Sequence, residues 1–338
     1  MTKLFLHIGY PKTATTAIQD NLILNQKLLL EKGVLYPANG LDIKAHHIIP
    51  RIMRKEGLKS HSNDLEIISE GLQYELNSYK PEACIISSEG FVFGTNPHEV
   101  MAYFKSIFQH IEILIYLRNP YDWIESDYNQ GVKAHRNITS TFDEFVEHIL
   151  NIRTSPLAFD KVVRKWADVF SFRKMHVRAY QGKNQDIISD FLETIGMKKP
   201  EEWKKPGIVD SNPRLSFNDV EFLRMVNYLN LELNEKKKLL EFCRPIHRHE
   251  DRVSTFWLSN TVIQRLSKLT KENKKLKKKI MKKDQKIYNE MLESSNFNKT
   301  TRFQNQNLEV LSYYFETLLR NQLSAKKSES KKEWEMAD

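Results

Sequence analysis

A short loop near the start of the chain combines the residue types that bind a phosphate. An apolar run ends at Ile8, the chain turns through Gly9 and Pro11, and apolar spacing predicts a helix from about Ala14. Backbone amides at a helix start attract anions, and Lys12 adds a full positive charge. Hydroxyl donors follow at Thr13, Thr15 and Thr16. The alternative is an ordinary threonine-capped helix with an exposed lysine, because the second glycine of a Walker A loop is absent.

A second strand-to-helix junction follows the fourth apolar run. Arg118 leaves the end of this run, Asn119 can cap the next helix, and Pro120 suits its first position. Ser126 lies two turns further on. An arginine fork and a hydroxyl near the carboxyl edge of a parallel sheet suit a second phosphate. The alternative is an ion pair between Arg118 and Asp122, with a serine that faces solvent.

Both junctions depend on strands that end beside them. Five short apolar runs predict these strands, at 4–8, 34–36, 83–87, 111–117 and 175–180. Segments with helical spacing separate the runs. Strands that alternate with helices form a parallel sheet with helices on both faces, so we predict an α/β fold.

The domain organisation changes beyond about residue 199, where the strand signals stop and the pattern becomes helical. We predict an α/β domain over 1–255, with a nucleotide-binding core over about 1–199 and a helical part over 200–255. A long basic helical extension is predicted over 256–325, followed by a disordered tail over 326–338.

The net charge of +9 comes from one segment of that extension. The 338 residues include 52 Lys or Arg and 43 Asp or Glu. Residues 265–286 contain eleven basic and two acidic side chains, so they account for the whole excess. The basic character therefore describes this segment and not the fold.

Apolar residues and one asparagine follow a heptad-like spacing through the same extension, at Val262, Leu266, Leu269, Asn273, Leu276 and Ile280. This spacing predicts a coiled-coil seam, through which two copies could form a homodimer. Three alternatives stay open: a solvated helix face, contact with an anionic membrane surface, and capture of an acidic glycan. Specific nucleic-acid binding is not expected, because aromatic residues do not alternate with the lysines.

The two junctions together resemble the nucleotide motifs of a known family. Residues 7–16 resemble the 5′-phosphosulfate loop of sulfotransferases, and residues 116–128 resemble their 3′-phosphate motif. The resemblance is closest to the bacterial carbohydrate-sulfotransferase-like branch and covers roughly residues 1–230. It extends through 33–37, 45–47, 87–89, 165–170, 177–180 and 190–196.

The resemblance implies a P-loop NTPase-like parallel sheet that binds 3′-phosphoadenosine 5′-phosphosulfate (PAPS). Lys12 and the amides of residues 13–16 would hold the 5′-phosphosulfate, while Arg118 and Ser126 would hold the 3′-phosphate. Many relatives have glycine where this loop has Ala14. A methyl group is tolerated there if the residue has helical dihedral angles, although it narrows the approach to the phosphate.

Sulfuryl transfer needs a cation at the leaving oxygen and a base at the acceptor hydroxyl. Lys12 is the candidate cation. Glu89 follows the third apolar run, at the sheet edge that provides the catalytic histidine in some relatives. His47, preceded by His46, lies near the position where heparan-type relatives place an acid or a histidine. Either Glu89 or His47 could be the base, and we expect no metal, because no carboxylate pair is placed to hold one.

We therefore expect a PAPS-dependent sulfotransferase that modifies a hydroxyl, in preference to an amine, of a glycan or glycoconjugate. The alternatives are a non-catalytic nucleotide-binding or oligomerising scaffold and an ATP-dependent small-molecule kinase. The chain has two cysteines, no secretory signal pattern and no apolar run of about 18–20 residues. These features predict a cytoplasmic protein, at most peripheral to the inner face of the membrane.

Overall fold

The computed structural model describes residues 2–54, 62–134, 136–182, 185–207, 215, 217–229, 231–243, 258–276 and 285–293. These residues belong to two compact units. The first contains described residues of 1–123, 153–211 and 268–295. The second contains described residues of 124–152 and 212–267.

A five-stranded parallel sheet forms the centre of the first unit. Its strands are β1 (Lys3–His7), β2 (Val34–Leu35), β3 (Ala83–Ser87), β4 (His110–Arg118) and β5 (Met175–Tyr180). They lie in the order β2-β3-β1-β4-β5, and every neighbouring pair is parallel. Each strand agrees with one predicted apolar run to within one residue at each end. The predicted fold class, an α/β fold with a parallel sheet flanked by helices, is confirmed.

The helices connect these strands and then continue beyond the sheet. In chain order they are α1 (Thr15–Leu24), α2 (Gln26–Glu31), α3 (Ile48–Arg54), α4 (Ser62–Tyr79), α5 (Pro97–Lys105), α6 (Pro120–Lys133), α7 (Phe142–Asn151), α8 (Phe159–Phe170), α9 (Ile187–Thr194), α10 (Phe217–Val226), α11 (Leu233–Cys243), α12 (Asn260–Lys274) and α13 (Gln285–Glu293). Within the described ranges, no helix combines the length and apolar character needed to cross a membrane.

The carboxyl edge of the sheet is uneven, because β4 extends beyond its neighbour β1. His7, the last residue of β1, pairs with Leu114, whereas β4 continues to Arg118. The overhang carries Arg118 past the end of β1 and alongside the loop that follows. The register of two strands therefore brings the first junction next to the second.

The main apolar core lies between one face of the sheet and the helices α1, α2 and α9. Side chains from alternate strand positions meet the apolar stripes of these helices, as a parallel sheet with helices on its faces requires. Burial of each large side chain contributes about 1.5–3 kcal/mol. The members include Phe5, Ile18, Leu22, Leu29, Ile85, Leu114, Tyr116, Phe191, Leu192 and Trp203.

Hydrogen bonds of polar side chains connect the segments of the second unit. Thr141 and Glu144 form a capping box at the start of α7, and Asp143 accepts a hydrogen bond from the amide of Ser259, just before α12. The buried ammonium group of Lys236 donates to the amide oxygen of Asn137 at 2.6 Å. Desolvation lowers the pKa of this lysine.

The C-terminal helices of the first unit surround a buried asparagine. Asn273 is fully buried; its Nδ2 donates to the Leu157 carbonyl at 2.8 Å, and its Oδ1 accepts from the Asp160 amide at 3.4 Å. The Tyr288 hydroxyl of α13 donates to the Asn273 carbonyl at 3.0 Å. Asn273 therefore caps the start of α8, whose own N-cap residue, Ala158, supplies no side-chain acceptor.

Most of the heptad-like positions that the structure describes are buried. Val262, Leu266, Asn273 and Leu276 are buried within this one chain, and Leu269 is partly exposed. Residues 268–276 and 285–293 belong to the first unit, and the extension over 256–325 stays a prediction. The residue-255 boundary, the lysines of 277–284 and the tail over 326–338 lie outside the described residues. The homodimer stays a prediction.

Replacing Asn273 with Leu is expected to lower the free energy of unfolding by about 1–3 kcal/mol, because two buried backbone groups lose their partner. Urea unfolding measures the change. Lys271→Ala, at an exposed position of the same helix, should stay within about 0.5 kcal/mol of the wild type. A stabilised Asn273→Leu variant with a concentration-dependent midpoint would instead place Asn273 in a coiled-coil seam.

Candidate functional site

The loop between β1 and α1, residues 8–14, is called the phosphate loop after its predicted ligand. It packs against the residue that follows the end of β3, through Gly9. Gly9 has a positive φ of 74°, and a Cβ atom there would lie 2.5 Å from the Cα atom of Glu89. No other residue type fits without moving one of the two backbones. This close approach makes the loop after β1 and the turn after β3 one continuous structure at the carboxyl edge.

The loop reaches helix α1 through left-handed backbone conformations. Lys12 has a φ of 68° and Ala14 a φ of 60°, with Ala14 as the N-cap residue. The methyl group of Ala14 is expected to be tolerated if the residue has helical angles, and this condition is not met, because the residue is left-handed. No side chain of the described residues caps α1, and its first turn contains no acid. The amides at this helix start are therefore arranged for an external anion.

The three threonines of the loop have different environments. Thr13 is fully buried, and its hydroxyl donates to the Tyr10 carbonyl at 2.5 Å. That hydroxyl therefore stabilises the turn, and the backbone amide is what Thr13 can offer an anion. Thr15 is also buried, whereas Thr16 is exposed in the first turn of α1.

Two side chains of the second junction bind carbonyl groups of the phosphate loop. Nη1 of Arg118 donates to the Lys12 carbonyl at 3.0 Å. Nε1 of Trp123 donates to the Pro11 carbonyl at 2.7 Å. These bonds turn the loop carbonyls toward the protein, so that the opposite side of the loop presents amides. Sequence reasoning missed Trp123, and nothing in its local pattern indicates this contact.

The start of α6 agrees with the sequence analysis. Helix α6 begins at Pro120, and Oδ1 of Asn119 accepts from the amides of Tyr121 at 2.9 Å and Asp122 at 3.3 Å. The predicted cap is confirmed. Ser126 is partly exposed on α6 and belongs to the second unit, so its pairing with Arg118 at one phosphate stays a prediction.

The structure brings the two candidate bases together. Nε2 of His47 lies 3.9 Å from Oε1 of Glu89, within ion-pair distance, and both side chains are about one-third exposed. Nδ1 of His47 is 2.7 Å from the Ser88 hydroxyl. The other carboxylate oxygen, Oε2, accepts from Nε2 of Gln19 at 3.0 Å. Gln19 lies on α1, so the helix of the anion site also orients the carboxylate.

The histidine next to His47 has a structural role. His46 is fully buried; its Nε2 is 3.1 Å from the Pro37 carbonyl, and its Nδ1 accepts from the Ser87 amide at 3.2 Å. Desolvation lowers its pKa to about 3. A neutral ring with both nitrogens occupied cannot serve as the base, whereas His47 borders solvent.

A buried polar chain continues beneath the site. Nδ1 of His7 is 2.8 Å from the Ser87 hydroxyl, which also accepts from Gln19 at 3.3 Å. Burial lowers the pKa of His7 to about 4, although the Glu89 carboxylate opposes the shift. His7 therefore stays neutral and holds the polar ends of β1 and β3 together. Sequence reasoning missed both His7 and Gln19.

The remaining titratable groups give no metal site within the described residues. No group of three or more His, Cys, Asp or Glu side chains lies close enough there to hold a metal ion. The available chemistry is an anion site with a lysine beside a carboxylate–histidine pair.

Comparisons with known proteins add limited information. No family model matches the chain. An uncharacterized protein of Archaeoglobus fulgidus is 28% identical over 200 residues, which cover 57% of this chain and 52% of that protein. The chain thus spans about half the length of the curated relative it matches. A sulfotransferase crystal structure from Alicyclobacillus acidocaldarius is 17% identical, with a TM-score of 0.39, and covers 70% of this chain and 99% of that one.

Replacing Ala14 with Gly is expected to raise the free energy of unfolding by up to about 1 kcal/mol, because glycine adopts left-handed angles without a Cβ clash. The matched control is Ala17→Gly, three residues further on in α1. Glycine at this helical position should lower the free energy of unfolding by about 0.5–1 kcal/mol. Urea unfolding gives both values. A loss of stability in both variants would contradict the left-handed assignment.

The pH dependence of stability should report on His46. Its neutral form contributes stability that is complete above the unfolded-state pKa of 6.5 and is lost as the pH falls toward about 3, because the unfolded chain takes the proton first. The free energy of unfolding should fall between pH 7.5 and 5.0, and less steeply in His46→Gln. His98→Gln, at an exposed position of α5, should keep the wild-type slope. An unchanged slope in His46→Gln contradicts the assignment.

Proposed function

We propose that the protein transfers the sulfuryl group of PAPS to a hydroxyl of a carbohydrate. One observation carries the proposal: an uncapped helix start with Lys12 in its loop meets Glu89 and His47 across the Gly9 contact. An anion site beside a proton acceptor is what in-line transfer from an anionic donor to a hydroxyl requires. The carbohydrate acceptor follows from the resemblance of the motifs.

The phosphate loop suits the 5′ end of the donor. The φ angle is positive at Lys12 and at Ala14 but not at Thr13, and such alternation turns successive amides into an anion-binding concavity. Arg118 and Trp123 bind the carbonyls on the other side. The loop therefore offers donors in a preorganised arrangement, which is the form that most strongly stabilises developing charge.

In this proposal, Lys12 stabilises the negative charge of the leaving group. PAPS supplies the transferable sulfuryl group and a phosphate that leaves with increased negative charge. The Lys12 ammonium, partly buried at the loop, stabilises that charge on the bridging oxygen. Thr15 and Thr16 contribute the amides of the first helical turn.

Glu89 is the residue we propose for the base. Gln19 holds one carboxylate oxygen, so the other is directed toward His47 and the solvent-facing side of the edge. The carboxylate can accept the proton of the acceptor hydroxyl as the oxygen attacks sulfur. His47 is held by Ser88, and its Nε2 lies 3.9 Å from Glu89, so it can stabilise the carboxylate as an ion-pair partner.

Transfer of radiolabelled sulfate from PAPS to a panel of glycans tests the proposal. Lys12→Ala should lower the rate by about 10²–10³-fold, because a preorganised charge at the leaving oxygen is lost. Lys27→Ala, an exposed lysine on α2, should stay within about twofold of the wild type. Binding of adenosine 3′,5′-bisphosphate without any transfer would favour a scaffold, and Mg²⁺-dependent use of ATP would favour a kinase.

The transfer rates of two variants separate the two candidate bases. Glu89→Gln should lower the rate by about 10²–10⁴-fold, because the proton acceptor is lost. His47→Gln should keep substantial activity, because the Glu89 carboxylate is still present and is held by Gln19. A His47→Gln loss as large as that of Glu89→Gln would move the base to His47.

A further inference from the structure

Arg54, the last residue of α3, lies in a space left by two glycines. A Cβ atom on Gly90 would be 2.6 Å from Nη2 of Arg54, and one on Gly94 would be 2.7 Å from its Cδ atom. Any larger side chain at either glycine would displace the arginine. The absence of side chains at Gly90 and Gly94 therefore leaves room for Arg54 beside the turn after Glu89.

The same turn places the guanidinium beside the candidate bases. A Cβ atom built on Gly90 would lie 2.6 Å from Nη2 of Arg54 and 3.1 Å from the hydroxyl oxygen of Ser88. Both groups therefore border the space beside Gly90. That hydroxyl is 2.7 Å from Nδ1 of His47, whose Nε2 faces Glu89. The Arg54 guanidinium and the Ser88–His47 hydrogen bond therefore border the same turn after β3.

The charge of Arg54 has no counter-ion in the described part of the chain. Its Nε donates to the Pro50 carbonyl at 3.1 Å, and no described carboxylate lies within ion-pair distance of it. Arg51 of the same helix, by contrast, pairs with Asp42 at 2.5 Å. Burial lowers the pKa of the Arg54 guanidinium, and Arg51 lowers it further. Arg54 is an exposed residue, so an anion of a bound ligand can reach its guanidinium and accept charge-assisted hydrogen bonds from it.

We propose that Arg54 binds an anionic group of the acceptor, a carboxylate or a sulfate ester, next to the hydroxyl that receives the sulfuryl group. The inference rests on the proposed function and narrows its substrate class to acidic saccharides. The planar guanidinium fork matches either oxyanion with two parallel hydrogen bonds. Acidic-glycan recognition is thereby placed at the sheet edge and not on the lysine-rich segment.

Paired acceptors measure the contribution of Arg54. Each pair differs only in the anionic group: a uronate-containing oligosaccharide against its carboxyl-reduced form, and a sulfated oligosaccharide against its desulfated form. Wild-type kcat/KM should favour the acidic member of at least one pair by about tenfold or more, and the pair that responds identifies the anion. Added NaCl should reduce this preference, because salt screens a solvent-accessible ion pair.

Three variants assign the preference to one side chain. Arg54→Gln should lower kcat/KM for the acidic acceptor by about tenfold and leave the neutral member within about twofold, which also shows that the variant is folded. Arg54→Lys should retain part of the preference, because it keeps the charge without the fork. Arg51→Gln should retain all of it, since that arginine already has a carboxylate partner.

The outcomes separate this inference from the proposed function. Equal losses on acidic and neutral acceptors in Arg54→Gln, or a wild type with no preference, overturn the anion subsite while sulfotransfer stands. If no acceptor is sulfated, the proposed function fails. The anion subsite at Arg54 is then tested by calorimetric binding of the same acidic oligosaccharides in the presence of adenosine 3′,5′-bisphosphate. Binding that Arg54→Gln weakens about tenfold supports the subsite, and binding that it leaves unchanged removes it.

Discussion

The contact between Gly9 and the backbone of Glu89 is the constraint on which the candidate site depends. A Cβ atom at Gly9 would lie 2.5 Å from Cα of Glu89, so the backbones of the two residues that follow β1 and β3 are in close contact. The phosphate loop continues from one strand, and the Glu89 carboxylate follows the other. Because the two strands are neighbours in a parallel sheet, their functional groups share one edge, as ligand sites of α/β folds do.

The geometry of the phosphate loop is maintained from outside the loop. Left-handed residues at positions 12 and 14 are unfavourable for side chains with a Cβ atom, so the surrounding structure must supply the compensation. Arg118 and Trp123 do so by binding the carbonyls of Lys12 and Pro11. The overhang of β4 beyond β1 brings them within reach. The second motif of the sequence therefore supports the first, in addition to any role at a second phosphate.

The amino-acid sequence was sufficient to predict the strands of the sheet and to select the candidate site. Five apolar runs of strand length, separated by helical spacing, suffice for an α/β fold, because burial on both faces of a parallel sheet leaves a strong local signal. The start of α6 was equally readable, since Asn119 and Pro120 act through neighbouring amides. The position of the phosphate loop followed from the same local chemistry. Each of these features depends on residues within one or two turns of one another.

The tertiary structure decided how the individual side chains are used. Ala14 is left-handed in a loop whose carbonyl groups at Lys12 and Pro11 are bound by Arg118 and Trp123, more than one hundred residues away in the sequence. Asn273 faces α8 of its own chain, although its spacing fits a seam between two chains equally well. The pairing of His47 with Glu89 arises in the same way. Spacing along a helix or strand predicts which residues share a face. Only the packing of distant segments determines what that face contacts. The reason is that burial and hydrogen bonding depend on atoms that the local sequence does not contain.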